Sequence, residues 1–185
     1  MLLSLIRQRV TKYRPRKLEC ATGTRASVML PLFEKENRLH IMLTKRTDGM
    51  KVHPGEISFP GGTHEEADVD MMETALRECS EEIGVKSSDV EIVGTLDDMT
   101  TLTGFVITPY VGIIPYPYRF KINQKEVAYL IHLPFKHLRE SGLIREQIEY
   151  RGRTETIDCI YYNGERIWGA TCRILLELKR IVHDE

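Results

Sequence analysis

Apolar residues alternate with polar ones, or cluster in short runs, along most of the chain, and the period changes from one segment to the next. Leu2, Leu5, Ile6 and Val10 recur at helical spacing and predict a short amphipathic helix over residues 2–10. Two apolar runs, 28–33 and 39–44, flank the polar turn Glu34-Lys35-Glu36-Asn37 and read as a β-hairpin. A loop with Gly49, Pro54 and Gly55 follows over 45–56, then a short strand 57–59 that stops at Pro60-Gly61-Gly62. Met72, Leu76, Cys79 and Ile83 return at a period near 3.6, which predicts a helix over 69–83 with those residues inward. Gly84 is placed to end that helix in a left-handed cap.

Downstream, 90–96, 105–114 and 127–133 read as strands, and a short helix is expected from Pro134. Segments 148–151 and 156–162 suggest a second hairpin. A last helix over 169–183 carries Ile174, Leu175, Leu178 and Val182 on one side. Strands and helices mix without strict alternation, so the expected architecture is α/β: an α/β/α sandwich around a mixed sheet. No repeat or linker divides the 185 residues, and a single domain over 1–185 is expected.

Composition changes this picture little. A formal net charge of −1 gives no general affinity for nucleic acid or membrane surfaces. Arg7 and Arg9 interrupt the apolar start too early for a secretory signal, and no segment approaches the roughly 20 apolar residues of a membrane span. Cys20, Cys79, Cys159 and Cys172 show no metal-ligand or redox spacing, which points to a reduced, cytoplasmic protein with free thiols.

Candidate chemistry concentrates between Gly61 and Val85. Glu78, Glu81 and Glu82 stand at i, i+3 and i+4, on one helix face. Like charges at that spacing repel by a few tenths of a kcal/mol per pair. A solvated acidic face is the simplest explanation of such a cluster. The glycine turn before it, the adjacent Arg77 and the abrupt stop at Gly84 favour a hard-cation site instead, because Mg²⁺ takes carboxylate oxygens together with substrate phosphates.

The segment Arg77-Glu78-Cys79-Ser80-Glu81-Glu82-Ile83-Gly84-Val85 resembles the second half of the Nudix box, G-x5-E-x7-R-E-U-x-E-E-x-G-U, where U is a bulky apolar residue. Two positions depart from it. One extra residue separates Gly62 from Arg77, and Asp68 stands for the early Glu. The longer spacing resembles the coenzyme A pyrophosphatase branch of that superfamily. So does the upstream run MLTKRTDGMKVHPGEISFPGG from Met42 to Gly62, where Thr47 replaces Ser and Lys51 replaces an Arg of the branch motif. Shorter matches follow at Gly94–Asp97, Gly104–Pro109, Glu126-Val127-Ala128 and Ile167–Thr171.

The resemblance implies metal-dependent hydrolysis of a pyrophosphate bond, with Mg²⁺ or Mn²⁺ as cofactor and coenzyme A or a derivative as the nucleotide substrate. The metal ligands it implies are Glu78, Glu81, Glu82 and the Gly61 carbonyl, with Arg77 orienting the acids. Glu78, Glu82 and Glu126 are the catalytic candidates, and either Glu78 or Glu126 would be the base. Arg46 and Lys51 are the substrate-binding candidates, with the basic stretch Arg14–Lys17 as a weaker one. His53 and His64 flank the expected site as ordinary loop residues, and Trp168 either stacks on adenine or packs in the core. Dimers are common in the superfamily, so a homodimer is implied by analogy alone. The competing functions are hydrolysis of NADH, ADP-ribose or another nucleoside diphosphate derivative, and a binding module without catalysis.

Overall fold

The computed structural model describes residues 2–19, 24–50, 52–150 and 152–183. Strand β1 (Thr24–Lys35) turns at Glu36 and Asn37, both with positive φ, into β2 (Arg38–Arg46). Asparagine tolerates that conformation well, and such turns follow the twist of paired strands. Beyond the Leu32–Ile41 pair the two strands diverge. The gap between them is filled by β3 (Ile57–Ser58), which pairs with β2, and β4 (Gly61–Thr63), which pairs with β1. The sequence reading ended this segment at the glycines. Instead the chain crosses from one strand to the other at Phe59-Pro60, and the Pro60 carbonyl accepts a 2.9 Å bond from the Met29 amide.

The far edge of β1 pairs in parallel with β7 (Phe105–Ile113), which in turn holds β5 (Glu91–Thr95) and the short β6 (Met99–Thr100). The far edge of β2 holds β8 (Val127–Pro134). The result is a mixed eight-stranded sheet. Helix α2 (Met71–Ile83) covers one face, where Ala75, Cys79 and Ile83 pack on Met29, Phe33 and Met42. The other face meets α1 (Leu2–Lys12), α3 (Phe135–Glu140) and α4 (Gly169–His183), through Ile6, Val10, Leu138, Ile174 and Leu178 among others. Helices therefore flank a mixed sheet, as expected, and the four inward residues of the last helix are all buried.

The second hairpin expected from the sequence is present and longer at its first strand, and with a third strand it forms a separate sheet that the sequence reading did not anticipate. Strands β9 (Ile144–Tyr150), β10 (Arg153–Tyr162) and β11 (Glu165–Trp168) form it in the order β11-β10-β9. Among the described residues, no helix is long and apolar enough to cross a membrane.

Candidate active site

Helix α2 is set by its two ends. Asp70 caps it by accepting a 2.8 Å bond from the Glu73 amide, and the Glu73 carboxylate accepts from the Val69 amide, so two amides that a helix start leaves open are satisfied. At the other end Gly84 takes φ 72°, and its N–H reaches the Ser80 carbonyl. The next residues are fixed by bonds from the Lys121 amide to the Ile83 carbonyl and from the Asn123 amide to the Glu82 carbonyl, 3.0 and 2.9 Å. These carry the loop before β8 against the acidic end of the helix.

The periodicity placed Met72 and Leu76 in the core. Both are only half-buried, and the inward face runs through Ala75, Cys79, Glu82 and Ile83. The three box glutamates therefore stand in three environments. Glu81 is open to water, with 58% of its side chain exposed, and lies 3.4 Å from Arg77. Glu78 is mostly covered and takes a 2.9 Å bond from Arg77 Nη1. Glu82 is 2% exposed, and its Oε2 has no hydrogen-bond partner among the described residues.

Burial pushes the Glu82 carboxyl up to about 8. Arg46 and the Gly61 N–H oppose that rise, while the charges of Glu78 and Glu126 add to it. Glu78 is raised as well, again chiefly by burial, with Arg77 opposing. Glu126 is held by a 3.0 Å bond from Asn123 Nδ2, so the same asparagine ties it to the end of α2. Glu78, Glu82 and Glu126 thus lie close enough for their charges to act on one another, with Glu78 and Glu82 beside the Gly61-Gly62 turn. Glycine is required there by close approach: a Cβ on Gly62 would collide with the Glu78 carboxylate, and one on Gly61 with the backbone of Ser27 and Val28.

Arg46 borders the same space. Its Nε is buried without a partner among the described residues, and Nη2 reaches the Val52 carbonyl at 3.4 Å. Lys51 lies outside the described residues. Arg77 grips Asp68 with two parallel bonds, Nε to Oδ1 at 2.9 Å and Nη2 to Oδ2 at 3.1 Å, and also donates to the Thr63 carbonyl at 3.1 Å. That grip holds the Asp68 carboxyl well below the usual carboxylate range. Thr74 and the Glu65 amide complete the set around Asp68. Asp68 was visible only as a substituted box position, and Asn123 and Thr63 carried no sequence signal that marked them.

The other candidates have partners of their own within the protein, and His53 and Trp168 also line the cavity that begins at the glycine turn. His53 lies 3.1 Å from Glu56 and His64 2.9 Å from Thr74 Oγ1. In the basic stretch, the Arg16 amide donates to Asp97 and Lys17 lies 3.3 Å from the buried Asp98. Trp168 has the Arg166 guanidinium 5.1 Å over its ring. Cys79 and Cys172 are buried, and their thiols are pushed up to about 12 by burial, so neither is a ready nucleophile. Cys20 lies outside the described residues.

Among the described residues, no three acid, histidine or cysteine side chains close on one point tightly enough to enclose a cation unaided. The donors nevertheless suit a hard cation. They are oxygens, one of them is buried and orphaned, and Mg²⁺ ordinarily completes its shell with water and substrate phosphate.

A NUDIX domain model matches residues 23–147, about two thirds of the chain. A protein named Nudix hydrolase NudL from Enterobacter sp. (strain 638) is 36% identical over 154 residues, covering 83% of this chain and 80% of its own. A NudL from Yersinia enterocolitica is 33% identical over 88% of this chain and 84% of its own. Among solved structures, a MutT/nudix family protein from Enterococcus faecalis shares the fold with a TM-score of 0.57 at 16% identity, covering 97% of this chain and 67% of that one. The helix with its glycine turn, the sheet that splits around it and these likenesses agree: the chain belongs to the Nudix family and is a Nudix hydrolase.

Proposed function

We propose that the protein hydrolyses the pyrophosphate bond of coenzyme A or a derivative, giving 3′,5′-ADP and 4′-phosphopantetheine. The pyrophosphate part of this reading is carried by one observation. Glu82 Oε2 and Arg46 Nε, an acceptor and a donor of opposite charge, are both buried beside the Gly61-Gly62 turn without a hydrogen-bond partner among the described residues. Buried polar atoms without partners are costly, so such a pair is expected where a ligand supplies the missing contacts. A divalent cation satisfies the first and a phosphate oxygen the second. The coenzyme A part rests on the run from Met42 to Gly62, which joins the second motif to the box.

Glu78 and Glu82, with Glu81 and the Gly61 carbonyl, would hold Mg²⁺ or Mn²⁺. When bound, the cation would offset phosphate charge and make water more acidic. The chain's own residues do the rest. Arg77, fixed by Asp68, holds Glu78 in place and limits repulsion among the acids. Arg46 binds a phosphate oxygen. Glu126, steadied by Asn123, takes the proton from the attacking water as a phosphorus–oxygen bond of the bridge breaks. Glu78 is the alternative base.

The test is product chromatography with coenzyme A, NADH and ADP-ribose in parallel, with Mg²⁺ or Mn²⁺ and an EDTA control. Metal-dependent release of 3′,5′-ADP, fastest from coenzyme A, is the expected result. Faster release of AMP from NADH or ADP-ribose would retain the pyrophosphate reading and overturn the substrate.

A further inference from the structure

Where β3 and β4 bridge β1 and β2, a cavity of about 530 Å³ lies between the main sheet on one side and β9, β10 and the start of α4 on the other. That volume lies within the range of small-molecule sites. One end is the Gly61-Gly62 turn and Arg46. The remainder is mainly apolar: aliphatic side chains such as Ile107, Ile148 and Ile157 stand beside the rings of Phe59, Phe105 and Trp168, with threonine hydroxyls among them. Its charged rim residues are turned to protein partners. Arg173 donates to the Thr100 carbonyl at 2.9 Å, His53 meets Glu56 at 3.1 Å, and Asp158 meets Arg145 at 3.4 Å. Glu155 adds a further negative charge to the lining. With Arg173 engaged and Glu155 and Asp158 in the lining, the part of the cavity beyond Arg46 disfavours a second phosphate.

At the outer mouth the Tyr150 hydroxyl donates to the Leu102 carbonyl at 3.1 Å. This bond joins the β9–β10 hairpin to the loop before β7, elements 48 residues apart in sequence. Leu102 itself is 52% exposed at that mouth, so an apolar occupant would also cover it.

We propose that this cavity takes an uncharged, largely apolar arm of the substrate, and that the Tyr150–Leu102 bond straps its outer wall over that arm. The inference rests on the pyrophosphate reading above and deepens it: one phosphate-linked half sits outside, and the half that carries no further charge lies between the sheets. Selectivity for that half belongs to the second sheet and the 101–104 loop, and not to the Nudix box.

The test uses alkyl esters of ADP, with methyl, butyl and hexyl groups on the terminal phosphate, beside ADP-ribose, whose arm is hydroxylated. Water adds to one phosphorus, and each ester yields AMP and an alkyl phosphate. With Mg²⁺ or Mn²⁺ present, kcat/KM is expected to rise roughly fourfold per added methylene until the cavity is full, mostly through KM. The hexyl ester should exceed ADP-ribose.

Ile148→Lys, checked for fold by circular dichroism, should collapse the hexyl-to-methyl ratio. Tyr150→Phe, which keeps the ring and removes the strap, should lower that ratio several-fold. A flat series in the native protein, with all esters cleaved, overturns this inference and leaves the hydrolase reading standing. So does a ratio that neither variant moves. Cleavage of ADP-ribose with no ester cleaved overturns this inference alone, whereas absence of cleavage for every ester, coenzyme A and ADP-ribose removes the pyrophosphate reading itself, and this one with it.

Discussion

Asp68 and Glu82 flank the same helix, and both are carboxylates almost wholly withdrawn from water. Their surroundings are opposite. Asp68 accepts from Arg77 twice, from Thr74 and from a backbone amide, and it is held in its charged form. Glu82 keeps one oxygen unpartnered among other acids, and burial drives it toward its neutral form. A satisfied buried charge is a structural element, whereas an unsatisfied one costs stability and persists where function uses it. The end of α2 near Asp68 therefore reads as the anchor of the site, and the end near Glu82 as its working part.

The contrast can be broken experimentally. Glu82→Gln should leave the fold intact and lower turnover at saturating metal by on the order of a thousandfold, about 4 kcal/mol of barrier. Turnover near that of the native protein would refute the site assignment. Arg77→Ala should act on stability as well, because it strands Asp68 as a buried charge. A loss of about 3 kcal/mol is expected in urea titrations of metal-free protein. Arg77→Lys should recover only part of it, since a lysine cannot make both bonds to Asp68.

Glu126→Gln should slow turnover by roughly a hundredfold if this residue is the base. A much smaller loss, with Glu78→Gln causing the larger one, would transfer the role to Glu78.

The smallest effect is in stability against pH without metal. Glu82 binds its proton more tightly folded than unfolded, so its contribution is complete below the ordinary glutamate range near 4.5 and declines as pH rises toward about 8. Asp68 binds its proton less tightly folded, so its contribution is complete above its ordinary value near 3.8 and is lost in more acidic solution. Scanning calorimetry in EDTA should show Tm falling by a few degrees between pH 5 and 8.5. Glu82→Gln should flatten that slope, and Arg77→Ala should not.

These two acids also mark what could be read from the chain. Hairpin, last helix and the stop at Gly84 were legible, because each is written in a local period or a turn residue. The box gave the acidic cluster. Periodicity could not reveal that Glu82 faces inward, since it ranks side chains by apolarity and assigns every glutamate to water. It chose Met72 and Leu76 for the core, and both are half-buried. The second sheet escaped for a related reason. Strand β9, IREQIEY, carries polar residues on both faces, so its alternation is faint. The cavity needs Gly61, Leu102, Ile148 and Ala170 together, and no local signal links positions so far apart.

The parallel pairing of β1 with β7 has a consequence for how the molecule assembles. Thr24 sits opposite Phe105 and Leu32 opposite Ile113, so the middle of the main sheet closes only across a long span of chain. Non-local closure of this kind slows folding, whereas the β1–β2 hairpin can form from neighbours alone. On the ribosome that hairpin and α2 emerge well before β7. Met29, Phe33 and Met42 can meet Ala75 and Cys79 early, while the opposite face of the same strands has α1 but waits for α4, which follows all the strands in chain order. During that interval Leu30, Leu32, Ile41 and Leu43 lie on a sheet with only part of its cover. That interval is where a slow or interrupted synthesis would expose this chain to aggregation.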